Sequence, residues 1–346
     1  MIDLFLLALI AGFITVAYLF PIKANEEDLT TSPVGFLVIG HLHLLKEPIH
    51  RSLRDLSRNL RSDVFFPRLG SRRAVVVTSA SAAEEFLSQE NDVIFANRPL
   101  ASLTEYMGYN CTIVSAALYG EHWRRLRQSE PEHYTDDIIK GLVQVMLLAG
   151  TDTTAVTLEW AMANLLNHPE VLMKLKTELN NVSVEGRLLE ESDTGKCPYL
   201  TNVISETLRL YPAAPLLVPH ASSADCEVAG FDIPRGTWLF VNAWAIQRDP
   251  KVWDDPEAFK PERFESETHR GKYLPSGIGR RACPGMGLAQ LVLSLALGSL
   301  IQCFDWERDN DVAVDMSEGR GITMPKAVPL VAKCKKSLPI LDKVVL

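Results

Sequence analysis

Cysteine is scarce in this sequence, and basic residues do not outnumber acidic ones. Six cysteines are spread over 346 residues, and no two of them form a Cys-x-x-Cys pair. This spacing is not that of a structural zinc site or a disulfide scaffold, so a reducing compartment is the simpler assumption. Lysine and arginine number 35 against 43 aspartates and glutamates, which gives a net charge of -8. This mild acidity argues against a nucleic-acid partner.

Charge is also absent from one stretch near the start of the chain. The run Leu4–Phe20 contains 17 residues without a charged side chain, which is at the short end for a membrane-spanning helix. A cleaved signal peptide is the alternative, but a basic leading segment is missing and the bulky pair Leu19-Phe20 makes a poor cleavage site. We therefore predict an uncleaved membrane anchor at residues 1–22, followed by the body of the protein at residues 23–346.

One cysteine lies in a glycine-rich loop ahead of an uncharged, apolar run. The loop places Arg280 and Arg281 just before Cys283, and residues 286–304 are predicted to form a buried helix. Two guanidinium groups and the N-terminus of that helix favour the thiolate form of the cysteine. A thiolate on such a turn is a good ligand for a soft or borderline metal. An inert core cysteine remains an alternative at this point.

The same loop also fits a second pattern, because Gly277-Ile-Gly-Arg-Arg-Ala282 matches the dinucleotide-binding fingerprint G-x-G-x-x-A. That fingerprint should follow an apolar strand and precede an acidic residue about 20 positions further on. Here a Gly-Lys-Tyr-Leu-Pro-Ser segment precedes it, and residues 286–304 contain no acid. The context therefore disfavours a dinucleotide site.

A second unusual stretch interrupts a predicted long helix. Thr135 followed by two aspartates predicts a helix start, and the helical pattern continues to Asn167. Its middle reads Ala149-Gly-Thr-Asp-Thr-Thr154, where glycine costs about 1 kcal/mol in a helix interior. An acid such as Asp152 is costly to bury without a partner. Local rules broken together suggest a functional site, and a tolerated kink against a neighbouring helix is the alternative.

Two charged patterns complete the set of candidates. Trp123 and Arg127 are four residues apart on one helix face, where they can meet a carboxylate on an apolar macrocycle. An exposed basic helix is the alternative. Glu206 and Arg209 also share a helix face, and Arg263 can complete a buried triad with them. A surface pair would contribute well under about 1 kcal/mol.

The cysteine loop resembles the haem-binding signature of the cytochrome P450 superfamily. Gly279, Arg281, Cys283 and Gly285 match this signature, and five motifs of the chain occur in the family's order. One position departs from it, because Ser276 stands where the signature opens with phenylalanine. The resemblance implies a mainly α fold with small β-sheets and a bound haem b. It also implies that the cysteine thiolate is the axial ligand of the iron.

Further site residues follow only from this resemblance. It implies that Trp123, Arg127 and His220 contact haem propionates, and that Arg281 belongs to the same haem-binding set. The Ala149–Thr154 motif is expected over the distal face of the haem, where Asp152 and Thr153 help to deliver protons. The Glu206 triad is expected to have a structural role.

The largest departure from the family is an internal one. Only residues 128–134 separate the helix carrying Trp123–Arg127 from the helix predicted over Thr135–Asn167. The family carries a long segment at this place, including the helices that roof the substrate pocket. We therefore predict a P450 fold that lacks these helices.

The motifs look most similar to those of the plant microsomal isoflavone-hydroxylase-like group. This resemblance implies a monooxygenase that inserts one oxygen atom from O₂ into a small organic substrate of the plant secondary-metabolite type. No nicotinamide site is evident, so NADPH would act indirectly, through a separate membrane-bound reductase. The expected location is the endoplasmic reticulum membrane, with the body facing the cytosol.

Two other functions stand beside the monooxygenase. The chain can be a truncated, catalytically inactive membrane-bound member of the family with at most a binding role, since the roof of the pocket is missing. It can also be a peroxide-rearranging relative that needs no reductase. Thr153 argues against the latter, because a residue that protonates oxygen would have no use there.

Overall fold

The structure is a computed structural model that describes residues 21–22, 32–33, 35–36, 38–87, 90–100, 105–106, 108–128, 131–182, 187–266, 269, 271–310 and 312–337. The predicted anchor at residues 1–22 falls outside these ranges except for its last two residues, and it stays a prediction.

Helices dominate the described residues, and short strands form small sheets, as the sequence predicted. The helices are α1 Ile49–Leu60, α2 Ala80–Phe86, α3 Glu121–Arg127, α4 Asp136–Asn167, α5 Pro169–Val182, α6 Glu191–Thr194, α7 Pro198–Leu210, α8 Ala243–Ile246 and α9 Met286–Cys303. The strands are β1 Pro21–Ile22, β2 Gly35–Phe36, β3 Val64–Phe65, β4 Arg68–Leu69, β5 Arg72–Val77, β6 His220–Ala221, β7 Cys226–Val228, β8 Phe231–Ile233, β9 Trp238–Val241, β10 Phe304–Arg308 and β11 Ala332–Lys336.

Helix α4 begins and ends where the sequence predicted. The side chain of Thr135 accepts a hydrogen bond from the backbone N–H of Ile138 at 3.4 Å, which satisfies one of the free donors of the first turn. Two aspartates follow in that turn and favour the positive end of the helix dipole. The helix ends at Asn167, and Pro169 begins α5. A short 3-10 turn at Pro131–His133 lies between α3 and α4.

The largest sheet places one candidate residue. Its strand order is β3-β5-β9-β6, with β4 also paired to β5. Strand β5 runs parallel to β9, and β6 runs antiparallel to β9 with His220 opposite Leu239. The alternation along β9 buries Leu239 and Val241 in the core beneath the sheet. His220 is therefore fixed on β6, the last strand in this order, where it is buried.

The main helical core lies between α5, α7, α9 and the second half of α4. Leu165, Leu175, Leu200 and Leu297 are each 0% exposed there. A buried leucine of this kind typically costs about 2–5 kcal/mol of stability when it is cut back to alanine. This core holds the helices that flank the cysteine loop and the Ala149–Thr154 motif.

The predicted triad is present and buried. Arg209 donates to Glu206 at 2.6 Å, and Arg263 donates to the same carboxylate at 3.2 Å. The side chains of Arg209 and Glu206 are 0% exposed. Arg209 also donates to the backbone oxygens of Gln247 and Pro256, so its guanidinium is fully used. The alternative of a weak surface pair is therefore wrong.

Helix α9 corrects one expectation. It spans Met286–Cys303, and Phe304 already belongs to β10. Its second half is buried, but Met286 is 58% and Leu288 is 60% exposed, so the prediction of a buried helix holds only in part. By length and composition alone, α4 and α9 would each be able to cross a membrane. Both pack against α7 in this fold, although only 17% of the most apolar stretch of α4 and 39% of that of α9 is buried.

Candidate active site: a cysteine loop beside a cluster of cations

The cysteine loop is shaped by two glycines and closed by a backbone hydrogen bond. Gly277 and Gly279 have φ angles of 71° and 73°, a region that L side chains rarely adopt. The N–H of Cys283 donates to the carbonyl oxygen of Ser276 at 2.9 Å. Cys283 is exposed and free, and it stands just ahead of Gly285, the N-cap residue of α9. The loop thus presents one thiol at the end of an 18-residue helix.

The two arginines of the loop are held by partners other than Cys283. The guanidinium of Arg281 donates to the backbone oxygens of Ala96, Val114 and Ala117. The guanidinium of Arg280 donates to Asp92 at 2.9 Å, and its Nε donates to a tyrosine hydroxyl. Neither is directed at the sulfur. That their charges favour the Cys283 thiolate stays a prediction.

Three of the predicted haem-binding residues, Trp123, Arg127 and Arg281, lie together, with both guanidinium groups against the indole ring. The guanidinium of Arg281 lies 4.7 Å from the centre of the Trp123 indole, and that of Arg127 lies 5.6 Å from it. The ring is buried between them, and its N–H donates to the carbonyl oxygen of Val114 at 3.1 Å. Cations stacked on an aromatic face are attracted to its negative quadrupole. The structure thus brings Arg281 to Trp123 and Arg127, although it lies 154 residues after Arg127 in the sequence.

Arg98 joins this group and was missed by the sequence analysis. It donates to the carbonyl oxygens of Val218 and Pro219 at 2.7 and 2.9 Å, while its Nε is buried without a partner. Burial lowers the pKa of Arg98 to about 10. Burial, and then the charges of Arg98 and Arg127, lowers the pKa of Arg281 to about 9. The sequence held only a weak signal, an arginine inside Phe95–Pro99.

The cluster therefore carries more positive charge than its surroundings balance. Among the residues that the structure describes, Arg98, Arg127 and Arg281 form no salt bridge. Repulsion between buried cations disfavours their charged forms, whereas a bound anion would favour them. A carboxylate is the planar acceptor that matches a guanidinium best. The arrangement is that of a site for an anionic group.

His220 borders the same cluster in its neutral form. It is 4% exposed, and its Nδ1 lies 2.8 Å from the carbonyl oxygen of Phe95, to which it donates. Burial, followed by the charge of Arg98, lowers the pKa of His220 to about 3. Its Nε2 is then an acceptor. A carboxylate at that nitrogen would require the imidazole to take up a proton.

The motif in the middle of α4 lies on an exposed part of the helix. The hydroxyl of Thr153 donates to the carbonyl oxygen of Ala149 at 2.6 Å, within the same helix. The carboxylate of Asp152 accepts a hydrogen bond from the hydroxyl of Thr323 at 2.7 Å. Thr323 lies 171 residues away and was missed by the sequence analysis. Of the two predicted catalytic residues, Thr153 thus bonds within its own helix, and Asp152 bonds to the loop between β10 and β11.

The described residues contain no group of three or more His, Cys, Asp or Glu side chains that could hold a metal ion. A metal bound at Cys283 would therefore have to bring most of its own ligands. An iron porphyrin would do this, since its four nitrogens would hold the iron and a protein sulfur would add one further ligand. Its propionates would also supply the anionic groups that the cation cluster lacks. The residues present thus fit a haem.

The family profile described as Cytochrome P450 matches residues 31–129 and 128–331 of the chain. The chain belongs to this family. The two matched segments overlap at residues 128–129, between α3 and α4, where the sequence analysis placed the missing segment. The resemblance stated from the motifs is therefore confirmed, and so is the position of the gap. As a cytochrome P450 monooxygenase, the protein is an oxidoreductase.

Plant members of this P450 family are similar over almost the whole chain. Cytochrome P450 81D1 of Arabidopsis thaliana is 38% identical over 486 aligned positions, which cover 96% of this chain and 96% of the relative. Isoflavone 3'-hydroxylase of Medicago truncatula is 35% identical, with 96% of this chain and 97% of the relative covered. Because 486 positions exceed the 346 residues of the chain, these relatives carry internal sequence that it lacks.

Solved structures agree on the fold. A zebrafish cytochrome P450 in a structure with abiraterone superposes with a TM-score of 0.77 at 21% identity, covering 84% of this chain and 100% of that chain. At this level of identity the likeness shows the fold alone. It confirms that the helices and small sheets on both sides of the gap keep the P450 arrangement.

Proposed function

We propose that the chain binds haem b with the Cys283 thiolate as the axial ligand of the iron. The observation that carries this proposal is the pairing of one exposed thiol at the N-terminus of α9 with a nearby cluster of unbalanced cations. Electron donation from a thiolate ligand favours cleavage of the O–O bond, which is the chemistry that the haem supplies when bound.

The cation cluster would hold the propionates. Arg98 and Arg281 already place their guanidinium groups on backbone oxygens, so both are rigid before any ligand arrives. Arg127 is exposed and free to turn toward a carboxylate. His220 would contribute a donor once it takes up a proton at Nε2. We assign Trp123 to this set as the ring that spaces Arg127 and Arg281, since its N–H is used on Val114.

We propose that Asp152 and Thr153 move protons on the face of the haem opposite Cys283. Asp152 is exposed and Thr153 is half-buried, and Gly150 has no heavy atom outside its own helix within 4 Å of the position a Cβ would take. The space beside Gly150 is open, so a small ligand can reach the helix there. The Thr153 hydroxyl donates within the helix and keeps its lone pairs for a neighbouring donor.

The substrate class and partners are inferred from the relatives. Relatives whose names state an activity include isoflavone 3'-hydroxylase and a (+)-piperitol/(+)-sesamin synthase of Sesamum radiatum, which is 35% identical. We infer a small phenolic or related plant secondary metabolite as substrate, and electrons from NADPH through a separate reductase. We also infer attachment to the endoplasmic reticulum membrane through the uncharged Leu4–Phe20 run.

The test is spectroscopic. Full-length protein loaded with haem should show the strongly red-shifted Soret band of a ferrous–CO thiolate complex. The Cys283→Ser variant should lose that band, because a hydroxyl does not replace a thiolate as a soft ligand. Cys334→Ser is the matched control, since Cys334 is also exposed but lies on β11. An unchanged band in Cys283→Ser would overturn the assignment.

An inactive family member is the second hypothesis, and one observation supports it. Residues 146–152 of α4 are all exposed, including Met146 at 67% and Leu147 at 65%. Productive oxygen chemistry needs a cavity from which water is excluded. The relatives themselves give no support to inactivity, because those named for a reaction are a hydroxylase and a synthase.

A further inference from the structure

A buried carboxylate lies directly under the cysteine loop. Asp92 is 4% exposed, and it accepts hydrogen bonds from the backbone N–H of Arg280 at 2.9 and 3.2 Å. The guanidinium of the same arginine donates to its Oδ2 at 2.9 Å. One acid thus holds both the backbone and the side chain of a residue three positions before Cys283.

The same carboxylate explains why the loop needs a glycine. A Cβ at Gly279 would lie 2.5 Å from Oδ1 and 2.8 Å from Cγ of Asp92, which is closer than real Cβ atoms approach. The backbone of the loop therefore rests on the acid itself. The positive φ of Gly279 adds a second reason for glycine at this position. The loop and the acid fit each other at contact distance.

Asp92 is itself fixed by its surroundings. It precedes the 3-10 turn Ile94–Ala96, which is tied to the sheet because the N–H of Ser223 donates to Ile94 and that of Ala221 donates to Asn97. On the other side, the N–H of Tyr119 donates to the Asn97 side chain at 2.7 Å. These hydrogen bonds hold the segment that follows Asp92, so its carboxylate is a rigid support.

Arg280 extends this support toward α3. Its Nε donates to the Tyr119 hydroxyl at 3.1 Å, and the Tyr119 ring packs on Trp123 with 5.5 Å between ring centres. The loop is thereby tied to the helix that carries Arg127. An acid suits this junction because it accepts from a backbone N–H and a guanidinium at once, and bonds to an ionised acceptor are roughly twice as strong as neutral ones.

We propose that Asp92 is a positioning residue for the axial ligand, holding Arg280 so that the sulfur of Cys283 keeps a fixed place. The proposal rests on haem–thiolate binding as the function of this loop. It predicts that removing the charge of Asp92, with its volume unchanged, loosens the loop and displaces the sulfur. Asp92 does not itself contact the ligand.

The first measurement uses haem-loaded, full-length protein. In Asp92→Asn, the fraction of the ferrous–CO complex with the red-shifted thiolate band should fall, and a band of the complex without thiolate ligation should rise. Arg280→Gln keeps the backbone N–H and should give a smaller loss. The double variant should lose less than the sum of the two, because both act through one contact. The matched control is Asp55→Asn, whose side chain is 58% exposed on α1.

The second measurement does not depend on haem. Trypsin can cleave after Arg280 only when the loop opens, so cleavage there reports how firmly the loop is held. In the full chain without haem, Asp92→Asn should be cut on the order of tenfold faster at this bond, the ratio expected for a lost charge-assisted hydrogen bond. Cleavage after Arg320, which is 84% exposed at its side chain, serves as the internal reference.

The outcomes separate the two hypotheses. A wild-type protein without any thiolate band refutes the proposed function, and the trypsin measurement then decides on its own whether Asp92 holds the loop. Equal cleavage in wild type and Asp92→Asn overturns the proposal. Faster cleavage with an unchanged thiolate fraction also overturns it, since the acid would then stabilise the loop without positioning the sulfur.

Discussion

The two halves of helix α4 form one continuous helix in opposite surroundings. Between Val156 and Leu166 most residues are buried against α5, α7 and α9. Residues 146–152 are all exposed, although Met146-Leu-Leu148 is as apolar as the buried half. Composition therefore does not explain the difference. The exposed half follows the junction at residues 128 and 129, where the relatives carry a longer chain.

This contrast divides the molecule into a packed part and a part that is open to solvent. The packed part, or frame, consists of the buried half of α4 and the Glu206 triad. It also includes the cation cluster and the cysteine loop, which are held by hydrogen bonds. The exposed half, which includes Asp152 and ends beside the half-buried Thr153, faces solvent. The proposed haem site can therefore be tested separately from the exposed half of α4. The predictions that follow test the two parts against each other.

The largest effect, on the free energy of unfolding, is expected in the packed part. Glu206→Gln leaves Arg209 and Arg263 buried without their shared carboxylate, and such a change typically costs about 3–5 kcal/mol. Urea unfolding monitored by circular dichroism measures this loss. Glu121→Gln, which breaks an exposed pair with Arg125 on α3, is the control and should cost under about 1 kcal/mol. Similar losses in the two variants would contradict a buried triad.

A matched pair of leucines on α4 gives a slightly smaller effect. Leu165→Ala, at a position that is 0% exposed, should cost about 2–5 kcal/mol. Leu147→Ala, at a position that is 65% exposed, should change the free energy of unfolding by no more than about 0.5 kcal/mol. Equal costs would mean that the first half of α4 is covered in solution, for example by self-association through its apolar surface.

The frame of the fold was predictable because its signals are local. Thr135 caps α4, Pro169 begins the next helix, and the spacing of Glu206 and Arg209 predicts an ion pair on one face. The Cys283 loop was recognised from glycines and arginines within ten residues. The gap itself was visible as a missing stretch between two motifs.

The supporting contacts were not predictable because they join distant residues without a periodic pattern. Arg280 is bound by Asp92 across 188 positions, and Asp152 by Thr323 across 171. Any of the 43 acidic residues could have served from sequence alone. The exposure of Met286 and Leu288 was missed for another reason. A helix that is apolar all round is expected to be buried, and the sequence does not tell which neighbours are lacking.

The smallest effect concerns the pH dependence of the frame. The pKa of His220 is lowered to about 3 from an ordinary value of 6.5. Between these values the unfolded chain binds a proton that the folded chain does not, so stability is complete above pH 6.5 and is lost as the pH falls. Unfolding measured at pH 6.5 and 5.5 should show this loss, at most about 1.4 kcal/mol per pH unit.

The His220→Gln variant separates this proton from the others. It should remove that part of the pH dependence, whereas His43→Gln, at an exposed histidine, should not. Loading the protein with haem should weaken the dependence as well, because a carboxylate beside His220 raises its pKa. An identical pH dependence in wild type and His220→Gln would contradict a neutral, buried histidine.

The most direct test of the central claim is the coupling of oxygen chemistry to product formation. Reductase-supported assays with a panel of small phenolic substrates measure product formed per NADPH consumed, with a full-length relative such as the Medicago truncatula isoflavone 3'-hydroxylase as reference. Because Asp152 and the residues around it are open to water, the account predicts NADPH oxidation with little product, the remainder appearing as peroxide or superoxide. Coupling as efficient as that of the reference would contradict it and would show that the shortened chain closes its pocket.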